Sequence, residues 1–345
     1  MISDSSDSDD ENAAALHRRP GNFKIRNDFE EYDFKRKFRL TFVAAEDVLL
    51  VIGADLQSET LRNMALTPRQ QLLVFLRFVA SNSIYSTLAD AHGISIATVS
   101  RCIHKVCDCI IRHFHNDVHF PINTNRLAQD FFEVAGMPSV AGCVDGTHIN
   151  ILAPHENENQ YVDRHHNHSI NALGVCGPDL RVYYINSRWP GATNDSRVLR
   201  NSKLAEDWNN GYRPFPDAML LADSGFPCLP WNLTPILVVN RTPAEDAYNR
   251  AHKKTRRLIE CCFGVLKKRF MVLATGIRAS PEFAGQLIVA CVCLHNICLD
   301  HGDIGEVYEV EEIELADPGP LEEEENFQRR NRIVQFFEQQ LLLQR

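Results

Sequence analysis

The sequence has no Cys-x-x-Cys pair among its 11 cysteines, and so lacks the spacing common to structural zinc sites and dithiol redox centres. The odd count leaves at least one thiol outside any disulfide scheme, and Cys107/Cys109, Cys261-Cys262 and Cys291/Cys293 sit beside helix-periodic apolar residues. Reduced core thiols are therefore expected. Also missing is any uninterrupted apolar run near the ~20 residues that cross a bilayer. Residues 287–294 are among the longest such runs, and the polar start Met1-Ile2-Ser3-Asp4 lacks the charged-then-apolar pattern of a leader. A soluble, unsecreted chain with no membrane partner is expected. With 44% hydrophobic and 23% charged residues in 345, the composition is neither collagen-like nor wholly disordered, and it suffices for one large domain or two modest ones. No internal repeat is visible.

Positive charge is scarce overall, with a formal net of -9, but its distribution matters more than its sum. Residues 1–12 hold five acids and no base, residues 302–325 hold eleven acids and no base, and residues 326–345 carry a net +3; the body from 13 to 301 is left at +4. The acidic sign belongs to the tails, and the body can meet phosphate.

Five segments follow from patterning. Residues 1–22 form an acidic N-terminus too poor in large apolar side chains to order itself, and order is expected to begin near Phe23. Residues 23–135 read as a helical region: stretches 46–56 and 69–80 carry apolar residues at three- and four-residue spacings, the second introduced by Thr67-Pro68 as cap and first position. Residues 302–326 form an acidic linker, and 327–345 an amphipathic helix with Phe336, Phe337 and Leu341. That last helix could dock on the body, dock on a partner, or fray.

Within the helical region, residues 84–113 read as helix, tight turn at Gly93, and a second helix capped by Ser95. Val99, Ile103, Val106 and Ile110 share one face of the second helix, and Arg101, His104 and Lys105 lie opposite. A DNA-binding helix-turn-helix has this form, with Ala97, Thr98, Arg101 and Lys105 as candidate readers of base edges. An ordinary helical hairpin with a glycine turn has it too.

From Val140 the period changes to that of strands. Residues 140–144, 149–151, 170–177, 182–186, 219–221 and 235–239 are strand candidates, followed by two long helices over 246–272 and 281–299. Strands followed by helices in one unit, residues 136–301, indicate an α/β sheet with helices packed against it. Three acids terminate apolar segments or punctuate the first long helix. Asp145 follows "VAGCV", Asp223 follows "AMLLA", and Glu260 lies in "NRAHKKTRRLIECCFGVLKKRF". Carboxylates at the ends of sheet strands lie where α/β proteins hold ligands, and their burial demands a cation. Oxygen donors suit Mg²⁺ or Mn²⁺, and converging carboxylates can hold two such ions about 3.5–4 Å apart for phosphodiester cleavage. On the helix, Ile259, Phe263, Leu266 and Phe270 define a buried stripe, while His252, Arg256 and Glu260 step by four along a neighbouring one. Glu260 can thus point into a site with Arg256 and His252 available for phosphate; a plain Arg-Glu surface pair is the alternative.

These residues resemble the PIF/Harbinger transposases and their domesticated relatives, the Harbinger transposase-derived nucleases, over most of the chain from about Leu66 to Leu299. "VAGCVDGTHI" matches the first-aspartate segment, "RWPGATNDSRVL" the Pro-Gly segment supplying Asp195, "LLADSGF" the segment of Asp223, and "YNRAHKKTRRLIECCFGVLKKRF" the glutamate helix. Asp223 and Glu260 enclose 36 residues, within the family's spacing. The resemblance implies an RNase H-like DDE core, a mixed sheet flanked by helices, preceded by the helix-turn-helix region. It implies Asp145, Asp223 and Glu260 as catalytic metal ligands, Asp195 as a further metal-site acid, and Mg²⁺ or Mn²⁺ as cofactor. Asn194-Asp195-Ser196 could equally cap a helix. DNA, a Myb/SANT-like protein partner, and a nuclear as well as cytoplasmic location are implied too.

The sequence departs from the family in "YVDRHHNHSIN", where Asp163-Arg164-His165 stands in place of the usual Asn-Arg-Lys. Arg164 remains as a phosphate contact, and His165 weakens the basic patch above an imidazole pKa of about 6.5. The His165, His166 and His168 cluster has no companion spacing for tetrahedral zinc. The expected function is a transposase-derived, divalent-metal-dependent DNA endonuclease. The alternative is a catalytically silent, domesticated DNA-binding or chromatin adaptor.

Overall fold

Helix starts follow the capping chemistry closely. In the computed structural model, which describes residues 30–58, 65–124, 126–305 and 327–343, Thr67 and Gln70 exchange reciprocal hydrogen bonds ahead of Pro68. This box opens α3 (Pro68–Ser81), which follows α1 (Glu31–Phe38) and α2 (Phe42–Leu56). The acidic N-terminus, the start of order at Phe23 and the linker from 306 to 326 lie outside the described residues.

The Gly93 turn forms as the sequence indicates. Gly93 adopts φ +67°, ending α4 (Tyr85–His92), and the Ser95 hydroxyl accepts the Thr98 N–H to open α5 (Ile96–Phe114). Val99, Ile103, Val106 and Ile110 are fully buried against α3 and α2, while Ala97, Arg101 and Lys105 are exposed. His104 is exposed on that face as well, and one side of its ring stacks on Phe283, centroids 3.7 Å apart. A 3-10 turn (His115–Asp117) and α6 (Leu127–Ala135) complete the helical region.

A mixed five-stranded sheet comes next, in the order β3-β2-β1-β4-β5. β1 (Val140–Asn150), β2 (Ser169–Cys176) and β3 (Val182–Pro190) form an antiparallel meander, interrupted between β1 and β2 by the single-turn α7 (Glu158–Tyr161). β4 (Met219–Leu221) pairs parallel to β1 on the other side, and β5 (Asn232–Leu233) parallel to β4. The short helices α8 (Asp195–Arg200) and α9 (Lys203–Asn209) connect β3 to β4.

Two strand expectations change. Residues 140–144 and 149–151 belong to one continuous strand through Asn150, because Asp145 and Gly146 stay in register with Gly174 and Leu173 of β2 and do not turn. Residues 235–239 are not a strand. The N–H and carbonyl of Ile236 are taken by the Asn249 side chain, at 2.8 Å each, and Val238 and Val239 are exposed.

The long helices cover the sheet. α10 (Pro243–Arg269) opens on a second capping box, Thr242 with Glu245, and ends at Phe270, whose extended φ and ψ break the expected continuous helix before α11 (Met271–Thr275). Ile259, Phe263, Leu266 and Phe270 are buried as the stripe requires. α12 (Pro281–Asp300) packs on β3 and α5; it is long and apolar enough to cross a membrane, but Leu287, Ala290, Cys291 and Leu294 are wholly buried in the core. α13 (Phe327–Leu343) runs against α10, with Ile333, Val334 and Phe337 on the core and Phe336 edge-on to Phe132, which is the docked alternative of the three left open.

Asp303, which the sequence places in an exposed acidic linker, is instead a buried tie. Its carboxylate meets the Arg269 guanidinium at 2.8 Å and the Lys35 ammonium at 3.1 Å, joining the end of α10 to α1. Burial opposes ionisation, but these two cations hold its carboxyl below the usual range. Replacing Asp303 with Ala leaves the Arg269 charge buried with its best partner gone, so urea denaturation should show a loss of about 3–5 kcal/mol. A loss under about 1 kcal/mol would show that the tie contributes no more than a surface pair.

Candidate catalytic site

Continuous pairing of β1 through Asp145 carries this carboxylate into the middle of the sheet, where it is mostly buried. One oxygen accepts the Gly146 N–H at 2.8 Å. Asp223 lies two residues beyond β4, the strand parallel to β1, and its Oδ1 accepts the Gly225 N–H at 2.9 Å, so the turn aims the carboxylate. Asp195 is the first residue of α8. Asn194 performs the capping, its Oδ1 accepting the Arg197 N–H at 2.9 Å, and leaves Asp195 free to turn inward. Capping thus falls to Asn194, and the Asp195 carboxylate meets Asn171 of β2 instead.

Two residues that sequence reasoning passed over hold Asp195 in place. Asn171 of β2 donates one amide N–H₂ group to Asp195 Oδ1 at 2.6 Å and to the Thr193 carbonyl at 2.8 Å. Gly146 clears the space, since a Cβ there would fall 2.1 Å from Asp195 Oδ1. The available signal for Asn171 was its polarity within a mostly apolar, fully buried strand.

Glu260 and Arg256 come from α10, one helical turn apart. The Arg256 guanidinium bridges them to the sheet, with Nη1 3.0 Å from Asp145 Oδ2 and Nη2 hydrogen-bonded to Glu260 Oε1. Arg256 stands beside the acids as the helical step indicates, with one donor on each of two carboxylates. His252 departs from its expectation. It is 1% exposed, its Nε2 lies 3.0 Å from the Leu233 carbonyl, and burial pulls its pKa down to about 4, so it is a neutral core residue. The four-residue step put His252 on the Arg256 stripe, but the helix crosses β5 there and buries that turn.

Elsewhere, Arg164 is exposed, with its Nε 3.3 Å from His165 Nε2, and its charge acts on Asp195. Asp163 is buried and accepts from the His165 and Asn167 N–H groups and the Ser169 hydroxyl, which makes it the organiser of this loop. His168 pairs with Glu158 at 2.9 Å. Thr98, Arg101 and Lys105 lie on α5, apart from the carboxylates; the Arg101 guanidinium donates to the Thr98 hydroxyl at 3.2 Å.

The electrostatics are those of a site short of positive charge. Burial pushes the Asp145 pKa up to about 7; Arg256 pulls it down, and the charges of Asp223 and Asp195 raise it further. Burial likewise raises Asp195, opposed by the Asn171 hydrogen bond and reinforced by Asp223. Among the described residues no three His, Cys, Asp or Glu side chains close around one point, and the cation that the cluster holds is Arg256. Carboxylate oxygens alone, mutually repelling and desolvated, fit a hard divalent ion.

A family model described as a DDE superfamily endonuclease matches residues 144–296, a span that contains Asp145, Asp195, Asp223 and Glu260. Relatives named "Putative nuclease HARBI1" from Rattus norvegicus and from Homo sapiens are each 36% identical over 297 residues, covering 83% of this chain and 82% of theirs. An Arabidopsis thaliana protein named "Antagonist of like heterochromatin protein 1" is 24% identical over 296 residues, covering 79% of this chain and 74% of its own. No solved structure matches the chain.

Asp145 supplies a pH test in metal-free buffer. Its folded pKa of about 7 exceeds the ordinary 3.8, so the folded protein keeps a proton that the unfolded chain releases. This group's contribution is therefore whole below pH ~4, is lost as pH rises toward ~7, and stays lost above it. Asp145→Asn should gain stability relative to wild type across that window, reaching on the order of 1–4 kcal/mol at neutral pH. A difference independent of pH would contradict the buried, charge-deficient carboxyl.

Proposed function

Because the chain belongs to the Harbinger transposase-derived nuclease family and carries a DDE superfamily endonuclease domain, we propose that it is a divalent-metal-dependent DNA endonuclease. Asp145, Asp223 and Glu260 are the primary ligands in this reading, and Asp195 is auxiliary. The observation that carries it is the close approach of the Asp145–Gly146 segment of β1 and the Asp195 carboxylate, which Asn171 holds, with Arg256 linking Asp145 to Glu260. The strand order, an antiparallel meander extended by two parallel strands, supports an RNase H-like core.

Mg²⁺ or Mn²⁺, when bound, supplies a polarised water or 3′-hydroxyl nucleophile and stabilises the leaving oxygen. The protein's own residues do the positioning. Asn171 fixes Asp195, the Gly225 N–H fixes Asp223, and the Gly146 N–H fixes one oxygen of Asp145, so three carboxylates are preorganised by short-range hydrogen bonds. Arg256 balances Asp145 and Glu260, and once relieved of that role its guanidinium becomes a phosphate contact beside the site. The exposed face of α5, with Thr98, Arg101 and Lys105, is the proposed helix-turn-helix contact to DNA, and Arg164 a phosphate contact near Asp195. A Myb/SANT-like partner and a nuclear and cytoplasmic location belong to the same reading.

A second reading, a DNA-binding or chromatin adaptor without turnover, is favoured by one observation: Arg256 already neutralises two of the four acids. Cleavage of supercoiled plasmid in Mn²⁺ separates the two. Under the endonuclease reading Asp223→Asn lowers the cleavage rate about 10³-fold or more, equivalent to about 4 kcal/mol, with DNA affinity retained. Equal, measurable rates in wild type and variant would reject the assignment of Asp223, and DNA binding without cleavage by either protein would favour the adaptor.

A further inference from the structure

The free edge of the sheet carries a second feature. Beside β3, the terminal strand, lies a cleft of about 1550 Å³ whose walls come from β3, the 193–194 segment, α8 and α9. Arg188, Arg197, Arg200 and Lys203 line it, with Trp189 on one side, and no carboxylate lines it among the described residues. That is notable in a chain of net charge -9. Arg200 is folded back onto Ser196, and Lys203 is shared with Glu206 and Asp207. Arg188 and Arg197 are exposed and make no ion pair among the described residues.

The cleft also adjoins the carboxylate site. Thr193 and Asn194 line it, the next residue is Asp195, and one Asn171 amide holds both the Thr193 carbonyl and the Asp195 carboxylate. A chain lying in the cleft therefore runs along the wall that continues into Asp195, which itself lies just outside the lining. We propose that the cleft holds the sugar-phosphate backbone of a DNA strand next to the phosphodiester to be cut, with Arg188 and Arg197 as its phosphate contacts. Trp189, half-buried, offers a face for a base. The proposal rests on the endonuclease reading and gives the site a direction of approach, along β3 and α8, which the helix-turn-helix alone does not.

An extended peptide added to the free edge of β3 fits less well. Asn186 Oδ1 already accepts the Arg188 N–H at 3.3 Å, and Asn296 takes both the N–H and the carbonyl of Val182, at 3.0 and 2.8 Å. The β3 pairing is also irregular at two points, and a charged, bulged edge is a poor template for another strand.

The test is fluorescence anisotropy of full-length protein in EDTA, with a labelled duplex of about 30 base pairs and arbitrary sequence, between about 50 and 200 mM salt. Compared with wild type, Arg188→Ala/Arg197→Ala should weaken binding about tenfold or more at the lowest salt and reduce the slope of log affinity against log salt by about 1.5–2. Arg188→Lys/Arg197→Lys should restore most of that slope, and melting temperature and Mn²⁺ binding by calorimetry should stay at wild-type values for both. Unchanged affinity and slope in the alanine variant, with wild type binding normally, would overturn the cleft and leave the endonuclease reading standing. Wild type that fails to bind duplex at any salt would overturn both. Unchanged DNA binding together with altered self-association in sedimentation would overturn it in favour of a protein at the β3 edge.

Discussion

Several carboxylates gathered in a desolvated corner of a sheet repel one another, and the structure around them is arranged to tolerate that repulsion. Burial and the neighbouring acids drive Asp145 toward neutrality, and a single guanidinium, Arg256, offsets the strain by binding Asp145 and Glu260 together. A fold selected only for stability has no reason to collect these groups, since apolar residues of similar size fill such a corner at lower cost. The unsatisfied demand for positive charge is what supports the proposed metal-dependent phosphoryl chemistry.

The precision of the corner comes from small devices on rigid elements. Glycine at 146 lets α8 approach β1 closely enough for Asp195 to reach the cluster. Asn194 takes the capping duty so that its neighbour need not, and Asn171 clamps both the carboxylate and the loop behind it. Farther away, the Arg269–Asp303–Lys35 tie and the stack of His104 on Phe283 lock the helical region against the helices that carry Glu260 and flank β3. The body thereby presents α5, the carboxylates and the β3 cleft as parts of one packed unit.

Much of this was legible in the sequence because it is written in local chemistry. Capping pairs such as Thr67/Gln70, the Gly93 turn, the buried stripe of α10 and the acids after apolar runs each depend on residues a few positions apart. What escaped depends on long-range placement. Residues 140–144 and 149–151 look like two strands until β2 pairs across the residues between them; His252 looks available to phosphate until β5 covers its helix turn; Asp303 looks like linker until Arg269 is found opposite. Residues 235–239 have strand composition, yet a side chain from α10 satisfies the backbone of Ile236 in place of a neighbouring strand. The β3 cleft left no periodic trace at all, since its cations come from a strand and two short helices.

The account turns on whether the carboxylate corner takes up a divalent ion. Titrating Mn²⁺ into wild-type protein and into Asp223→Ala by calorimetry, without DNA and then with a short duplex present because phosphate oxygens can complete a metal site, addresses this directly. The account predicts binding to wild type that is abolished or greatly weakened in the variant. Equal binding by both proteins, or no binding by either even with duplex, would contradict it.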